Sequence, residues 1–183
     1  MKLVSKEFQK VSKWTGGTTT ELLIFPANAV VSKQNFDYRI STAQVLVEKS
    51  EFTSFPSFNR KLAILEGKLK IQHNQSKWYE LGVGEQSEFK GDWETRSEGQ
   101  VVDFNVIYSD KYQTSIFWLT QLKEDDFNNG KEVVGIYCLN GTIQINDILL
   151  EKGDFINANG EVVTVVTSVD ALCVKVIIDK LQR

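Results

Sequence analysis

Charged and polar side chains interrupt otherwise apolar strand-forming segments at a few places, and these are where the chain could do chemistry. In Tyr38-Arg39-Ile40-Ser41-Thr42-Ala43, strand alternation puts Arg39, Ser41, Ala43, Val45 and Val47 on one face. Arg60, in Phe58-Asn59-Arg60-Lys61-Leu62, is in phase with Leu62 and Ile64. In the segment Val102-Asp103-Phe104-Asn105-Val106, Asp103 and Asn105 share one face while Val102, Phe104, Val106 and Tyr108 share the other. A charge on such a face must pair, meet water or bind something, because burying it alone is costly. Two readings stay open: a structural Arg–Asp pair, or a site where guanidinium forks hold a carboxylate by two-point contacts. A fourth cluster, Trp14-Thr15-Gly16-Gly17-Thr18-Thr19-Thr20-Glu21, has glycines that permit a turn and hydroxyls, Thr18 and Thr20 among them, that can be aimed at an anion. It is no phosphate loop, since no Lys follows the glycines and no helix pattern begins there.

Other chemistries lack their parts. The chain has one histidine, His73, at the end of a strand pattern, a place open to a metal ligand in a barrel, but there is no His-x-His and no second imidazole. No Ser-His-Asp set is expected, and Cys138 and Cys173 lie in apolar runs without a Cys-x-x-Cys pair, which reads as two buried free thiols. Asp92, Glu94 and Asp103 are the carboxylates that could do acid–base work if a pocket desolvated one of them. The expectation is therefore no metal, no cofactor and no catalysis.

The frame that must position these residues is all-β. Of 183 residues, 42% are hydrophobic and 11% aromatic, and two are proline, so the chain can bury a core and leave its strands uninterrupted. A net charge of −3 supplies no basic stripe for nucleic acid. The amino terminus lacks the apolar core of a signal peptide, and no apolar run approaches the ~20 residues of a membrane span, so a cytoplasmic location is expected. Strand patterns cover Glu21–Phe25, Asp37–Val47, Lys61–Glu66, Lys68–His73, Val101–Tyr108, Val133–Leu139, Thr142–Ile145, Glu161–Thr167 and Ala171–Ile178. The loop Ala27–Asn35 either folds over a pocket mouth or joins two strands.

Leu62–Trp93 reappears, shortened, as Ile136–Gly160. In both copies an apolar strand runs into Gly67 or Gly141, an alternating strand follows (Leu69 and Ile71; Ile143 and Ile145), and a turn leads to Phe89 or Phe155, both expected to be buried. That pattern predicts an internal duplication. The polar segment Gln121–Lys131 sits between the copies and is expected to connect them over the surface, with the halves expected at 1–110 and 111–183.

Together, WTGGTTTE at Trp14–Glu21, FDYRISTA at Phe36–Ala43, FTSFPSFNRKLAILEG at Phe52–Gly67, FKGDW at Phe89–Trp93 and DFN at Asp103–Asn105 resemble, in order and spacing, the HutD/Ves family of the cupin superfamily. The second half matches through the repeat and the GDF at Gly153–Phe155. Many relatives carry a longer Trp-x-Asn-Gly-Gly-Gly turn, which is shortened here and lacks the Asn. The resemblance implies a double-cupin (bicupin) fold of two β-sandwich halves. It implies a metal-independent protein whose first half presents Arg60, with Arg39, Ser41, Asp103 and Asn105, to a small anionic metabolite, a carboxylate. Family members are associated with histidine utilisation, as sensors or moderators, or with stress response, so a histidine-breakdown carboxylate such as urocanate or a formylated glutamate is a candidate by analogy. A metal-independent isomerase or lyase with Asp103 as base, and a pure protein-interaction module, are the alternatives. Cupins often pair through their surfaces, which makes a homodimer an expectation.

Overall fold

Short Val-, Ile-, Phe- and Tyr-rich segments form strands almost throughout, as their composition predicts. The computed structural model describes residues 1–127, 133–158, 162 and 164–182. In chain order the first strands are β1 (Lys2–Val4), β2 (Lys10–Trp14), β3 (Gly17–Phe25), β4 (Tyr38–Val45), β5 (Lys49–Glu51) and β6 (Phe58–Gly67). Then come β7 (Leu69–His73), β8 (Tyr79–Leu81), β9 (Gln86–Lys90), β10 (Thr95–Glu98), β11 (Val101–Ser109) and β12 (Tyr112–Leu119). The last are β13 (Val133–Asn140), β14 (Thr142–Ile145), β15 (Ile148–Glu151), β16 (Phe155–Asn157), β17 (Val165–Thr167) and β18 (Leu172–Lys180). Among the described residues the only helical elements are short 3-10 turns. Of the expected strand Glu161–Thr167, residues 161 and 163 lie outside the described residues, as do residues 128–131 of the polar connector; its Glu124–Asp126 forms a 3-10 turn.

The chain divides into two compact units, Lys10–Lys111 and Met1–Gln9 with the residues from Tyr112 onward. The expected boundaries of 1–110 and 111–183 differ from this at the amino terminus. Strand β1 pairs antiparallel with the otherwise open edge of β16. The Lys6 amide donates to Asp154 Oδ1 at 2.8 Å and Gln9 Nε2 to the Gly153 carbonyl at 2.8 Å, which fastens the first residues to that unit.

In the Lys10–Lys111 unit a six-stranded sheet, β2-β3-β4-β11-β6-β9, faces a four-stranded sheet, β5-β10-β7-β8. Leu62 and Ile64 from one pack on Leu69, Ile71 and Leu81 from the other. Each such buried side chain contributes about 1.5–3 kcal/mol by leaving water. The second unit has the sheets β1-β16-β13-β18-β12 and β15-β14-β17, with Ile136, Cys138, Ile143, Ile145 and Leu150 in its core.

The repeat has matching backbone detail in the two units. The ladder of β6 with β11 skips Leu65, and that of β13 with β18 skips Leu139, each two residues before the repeat glycine. The Ile64 N–H donates to the Glu85 carbonyl at 3.1 Å, and the Ile64 carbonyl accepts from the Gly84 N–H at 2.9 Å. Cys138 does the same with Asp154 at 3.0 Å and Gly153 at 2.8 Å. Phe89 and Phe155 are both buried, as expected, but by this register Phe155 occupies the place of Gln86. Cys138 and Cys173 stand opposite each other across β13 and β18 as free thiols, and burial pushes them up to about 11 and about 12.

Gly67 closes the tight β6–β7 connection at φ +84°, and a Cβ there would lie 2.6 Å from the Gln100 carbonyl oxygen, a backbone atom. Gly67→Ala is expected to lower the unfolding free energy by about 1–3 kcal/mol in a denaturant titration. An unchanged midpoint would show that the turn relaxes freely.

Candidate functional site

Register turns the alternation of single strands into one surface. On the inner face of the six-stranded sheet, Ser41 stands opposite Asn105, and Asn105 opposite Leu62. One row away Asp103 faces Ala43. Arg39 from β4 and Arg60 from β6 both stand opposite Ile107 of the strand between them. Their backbones are therefore about 10 Å apart, two strand spacings. All of these residues line one cavity of about 490 Å³, together with Glu21, Thr19 and Trp14 from the neighbouring hairpin and Phe52 and Phe55 from the connection before β6. Gly17 makes the hairpin possible: a Cβ there would collide with the Gln44 carbonyl of β4. Val30, Val31 and Ser32 of the Ala27–Asn35 loop also border the cavity, and Gln34 Nε2 donates to the Ser54 carbonyl at 3.2 Å.

The two arginines have different fates. Arg39 Nε donates to Glu21 Oε2 at 3.0 Å in a pair largely shielded from water. The structural alternative thus applies to Arg39, with Glu21 as partner and not Asp103. Arg60 is 7% exposed. Its Nη1 donates to the Thr53 carbonyl at 3.3 Å, and its Cζ lies 4.8, 5.3 and 5.8 Å from the ring centroids of Phe52, Phe89 and Phe55. Cation–π attraction stabilises such a desolvated guanidinium. Arg60 Nε is nevertheless buried without a hydrogen-bond partner. Burial lowers Arg60 to about 10, against the opposing field of Asp103 and with a further push from Arg39.

Asp103 is 5% exposed and, among the described residues, its carboxylate makes neither a hydrogen bond nor an ion-pair contact. Burial raises it to about 7 although the charge of Arg60 pulls the other way. Asn105 Oδ1 is also buried and unpartnered. Arg60, Asp103 and Asn105 thus converge on the cavity, and the buried, unpartnered Arg60 Nε and Asn105 Oδ1 cost about 1–3 kcal/mol each. Thr18 and Thr20 do not line the cavity; Thr19 and Glu21 do, because alternation sends the other two threonines to the opposite face.

Glu21, Phe52 and Phe55 are the site residues that strand reading missed. For Glu21 the signal was present, since it is in phase with Gly17 and Thr19. Asp92 and Glu94 lie away from the cavity, and Glu94 pairs with Arg96. His73 Nδ1 lies 2.8 Å from Thr95 Oγ1 and Nε2 lies 2.9 Å from Tyr79 OH, with the ring packed on Phe89. Burial, and then the charge of Arg60, lowers its affinity for a proton. With both nitrogens engaged, and no cluster of three metal-ligating side chains among the described residues, this set does not fit a cupin metal centre.

Removing one member of a shielded ion pair leaves the other unmatched. Glu21→Gln is expected to lower unfolding stability by about 3 kcal/mol, and Glu21→Gln with Arg39→Met to recover much of it. Stability equal to wild type in the single variant would mean that Arg39 is solvated.

Among curated proteins none matches the sequence. Solved structures do. HutD from Pseudomonas fluorescens SBW25 is 18% identical, with 99% of each chain covered and a TM-score of 0.79. A conserved protein of unknown function from Pseudomonas aeruginosa PAO1 is 20% identical, with 98% of each covered and a TM-score of 0.81. A cupin 2 conserved barrel domain protein from Leptotrichia buccalis is 11% identical over 98% of this chain and 96% of its own, with a TM-score of 0.59. At these identities the likeness shows a shared cupin-type β-fold. The sequence profile of the HutD family matches residues 6–173, and the chain belongs to that family.

Proposed function

We propose that this chain is a metal-independent cupin that binds a small carboxylate in the Lys10–Lys111 unit and acts as a sensor or moderator rather than as an enzyme. The observation that carries this reading is Arg60. Its guanidinium is walled by three phenylalanines and its Nε is buried without an acceptor, while the residue lines a cavity large enough for a metabolite. A carboxylate is the acceptor whose geometry fits that fork, and the apolar walls would strengthen the charge-assisted bond. HutD-family membership supports a role in histidine utilisation, with urocanate and formylated glutamate as the compounds to try first. The matching bulges and amide pairs of the two units support an origin by duplication, hence a bicupin. A cytoplasmic location and a homodimer complete the reading as proposals.

One observation favours a second reading. Asp103, raised to about 7, has the proton affinity that a general base needs at neutral pH, so a metal-independent isomerase or lyase is the rival. Conversion of a bound carboxylate to a new product by wild type, and not by Asp103→Asn, would decide for it.

Thermal unfolding of the chain against a panel of small carboxylates, urocanate included, tests the binding reading. A ligand present at about 100 times its Kd adds about 2.7 kcal/mol to the native state. The midpoint should rise with ligand concentration in wild type and stay fixed in Arg60→Ala. A folded wild type indifferent to every carboxylate, or an equal rise in both proteins, would sink the proposed role.

A further inference from the structure

Six charged residues line the cavity, Lys10, Arg39 and Arg60 against Glu21, Glu51 and Asp103, so its formal charge is zero. Glu21 already neutralises Arg39 by direct contact. Lys10 and Glu51 are exposed residues of the edge strands β2 and β5, where solvent screens them, and Glu51 is paired with Arg96 at 3.6 Å. What remains for a ligand is Arg60 and Asp103, which are within each other's field without an ion-pair contact. An anion placed on the Arg60 guanidinium would therefore enter a buried space that also holds the Asp103 carboxylate. Two like charges at low dielectric repel by several kcal/mol unless one is neutralised.

Resting on the carboxylate reading above, we propose that Asp103 sets which anion the cavity accepts: the ligand is a monoanion, taken up together with one proton that ends on Asp103. The balance is simple. The ionised ligand arrives with its single negative charge, a proton from solvent binds the Asp103 carboxylate, and the complex carries one anion facing one guanidinium. A second carboxylate on the ligand would find no buried cation to spare, since Arg39 is matched and Lys10 is exposed to solvent.

The other charged groups in and around the cavity lie on separate elements. Arg60 on β6 is held at about 10, and Arg39 on β4 is bound to Glu21 on β3. His73 on β7, whose proton affinity the Arg60 charge also lowers, is pushed below its ordinary range and has both ring nitrogens engaged. Lys10 and Glu51 complete the set. Asp103, by contrast, makes no contact that would hold it ionised, and its proton affinity lies near neutrality. Because its proton is retained below about 7 and lost above, anion affinity should be full on the acid side and fall as pH rises through that value.

Isothermal titration calorimetry of the full chain with benzoate tests this, because benzoate stays a monoanion across the neutral range and its ring suits the phenylalanine walls. Its affinity should fall on the order of tenfold or more between about pH 6 and about pH 8.5. At the higher pH, titrations in phosphate and in Tris should differ in heat by the uptake of close to one proton. Isophthalate, the same ring with a second carboxylate, should bind at least tenfold more weakly. In Asp103→Asn the uptake and the pH dependence should both vanish. Benzoate binding without proton uptake would overturn this inference and leave the carboxylate site standing, as would uptake that persists in Asp103→Asn. No benzoate binding at either pH would overturn both. Should Asp103→Asn fail to fold, the two-buffer comparison on wild type alone still decides.

Discussion

Everything about the site depends on how a guanidinium is kept in the interior of a small β-sandwich. Arg60 has no carboxylate in contact; three aromatic faces and one carbonyl surround it instead. Cation–π contacts are worth about 0.5–2 kcal/mol each, and a buried ion can cost several. The arrangement therefore holds the charge but leaves it short of an acceptor. The unmatched Nε is the deficit that an anionic ligand would meet. Had Asp103 been within bonding distance, the two would have closed on each other and the cavity would be an ordinary polar core.

The rest of the unit keeps that arrangement from collapsing. Strand β11 separates Arg39 from Arg60, and Glu21 engages Arg39, so the arginines neither repel at contact nor compete for one acceptor. Phe89 from β9 and the connection carrying Phe52 and Phe55 form the apolar collar around Arg60. Phe36, Phe55, Phe58 and Ile107 pack as one cluster beneath, which fixes the collar's own position. His73, closed off by Thr95, Tyr79 and Phe89, serves as packing.

What could be read from the sequence was local. A period of two is set by each strand alone, so the faces carrying Arg39, Ser41 and Ala43, Arg60 and Leu62, and Asp103 and Asn105 were legible, and each group lines the cavity. The repeat was legible for the same reason, because its glycines and alternating strands are short-range marks. Partners across the sheet were not. That Arg39 meets Glu21 depends on the register of β3 with β4, which shifts at Leu22, and that β1 adds to β16 depends on a contact spanning most of the chain. Phe52 and Phe55 lie outside any strand, so no periodicity announces which way they point. Thr18 and Thr20 alternate with Thr19 along β3 and so stand on the face away from the cavity, which a turn motif alone does not reveal.

The central claim is that Arg60 Nε is a donor waiting for an anion, and the Arg60 side chain can be observed directly. In a ¹⁵N-labelled sample the Nε–H resonance of Arg60 can be assigned by its loss in Arg60→Lys and followed during addition of a bound carboxylate. A large, saturable downfield shift of that proton, in step with the unfolding midpoint, is the predicted result. A resonance that stays put while the ligand binds would place the anion elsewhere and leave Arg60 as a structural residue.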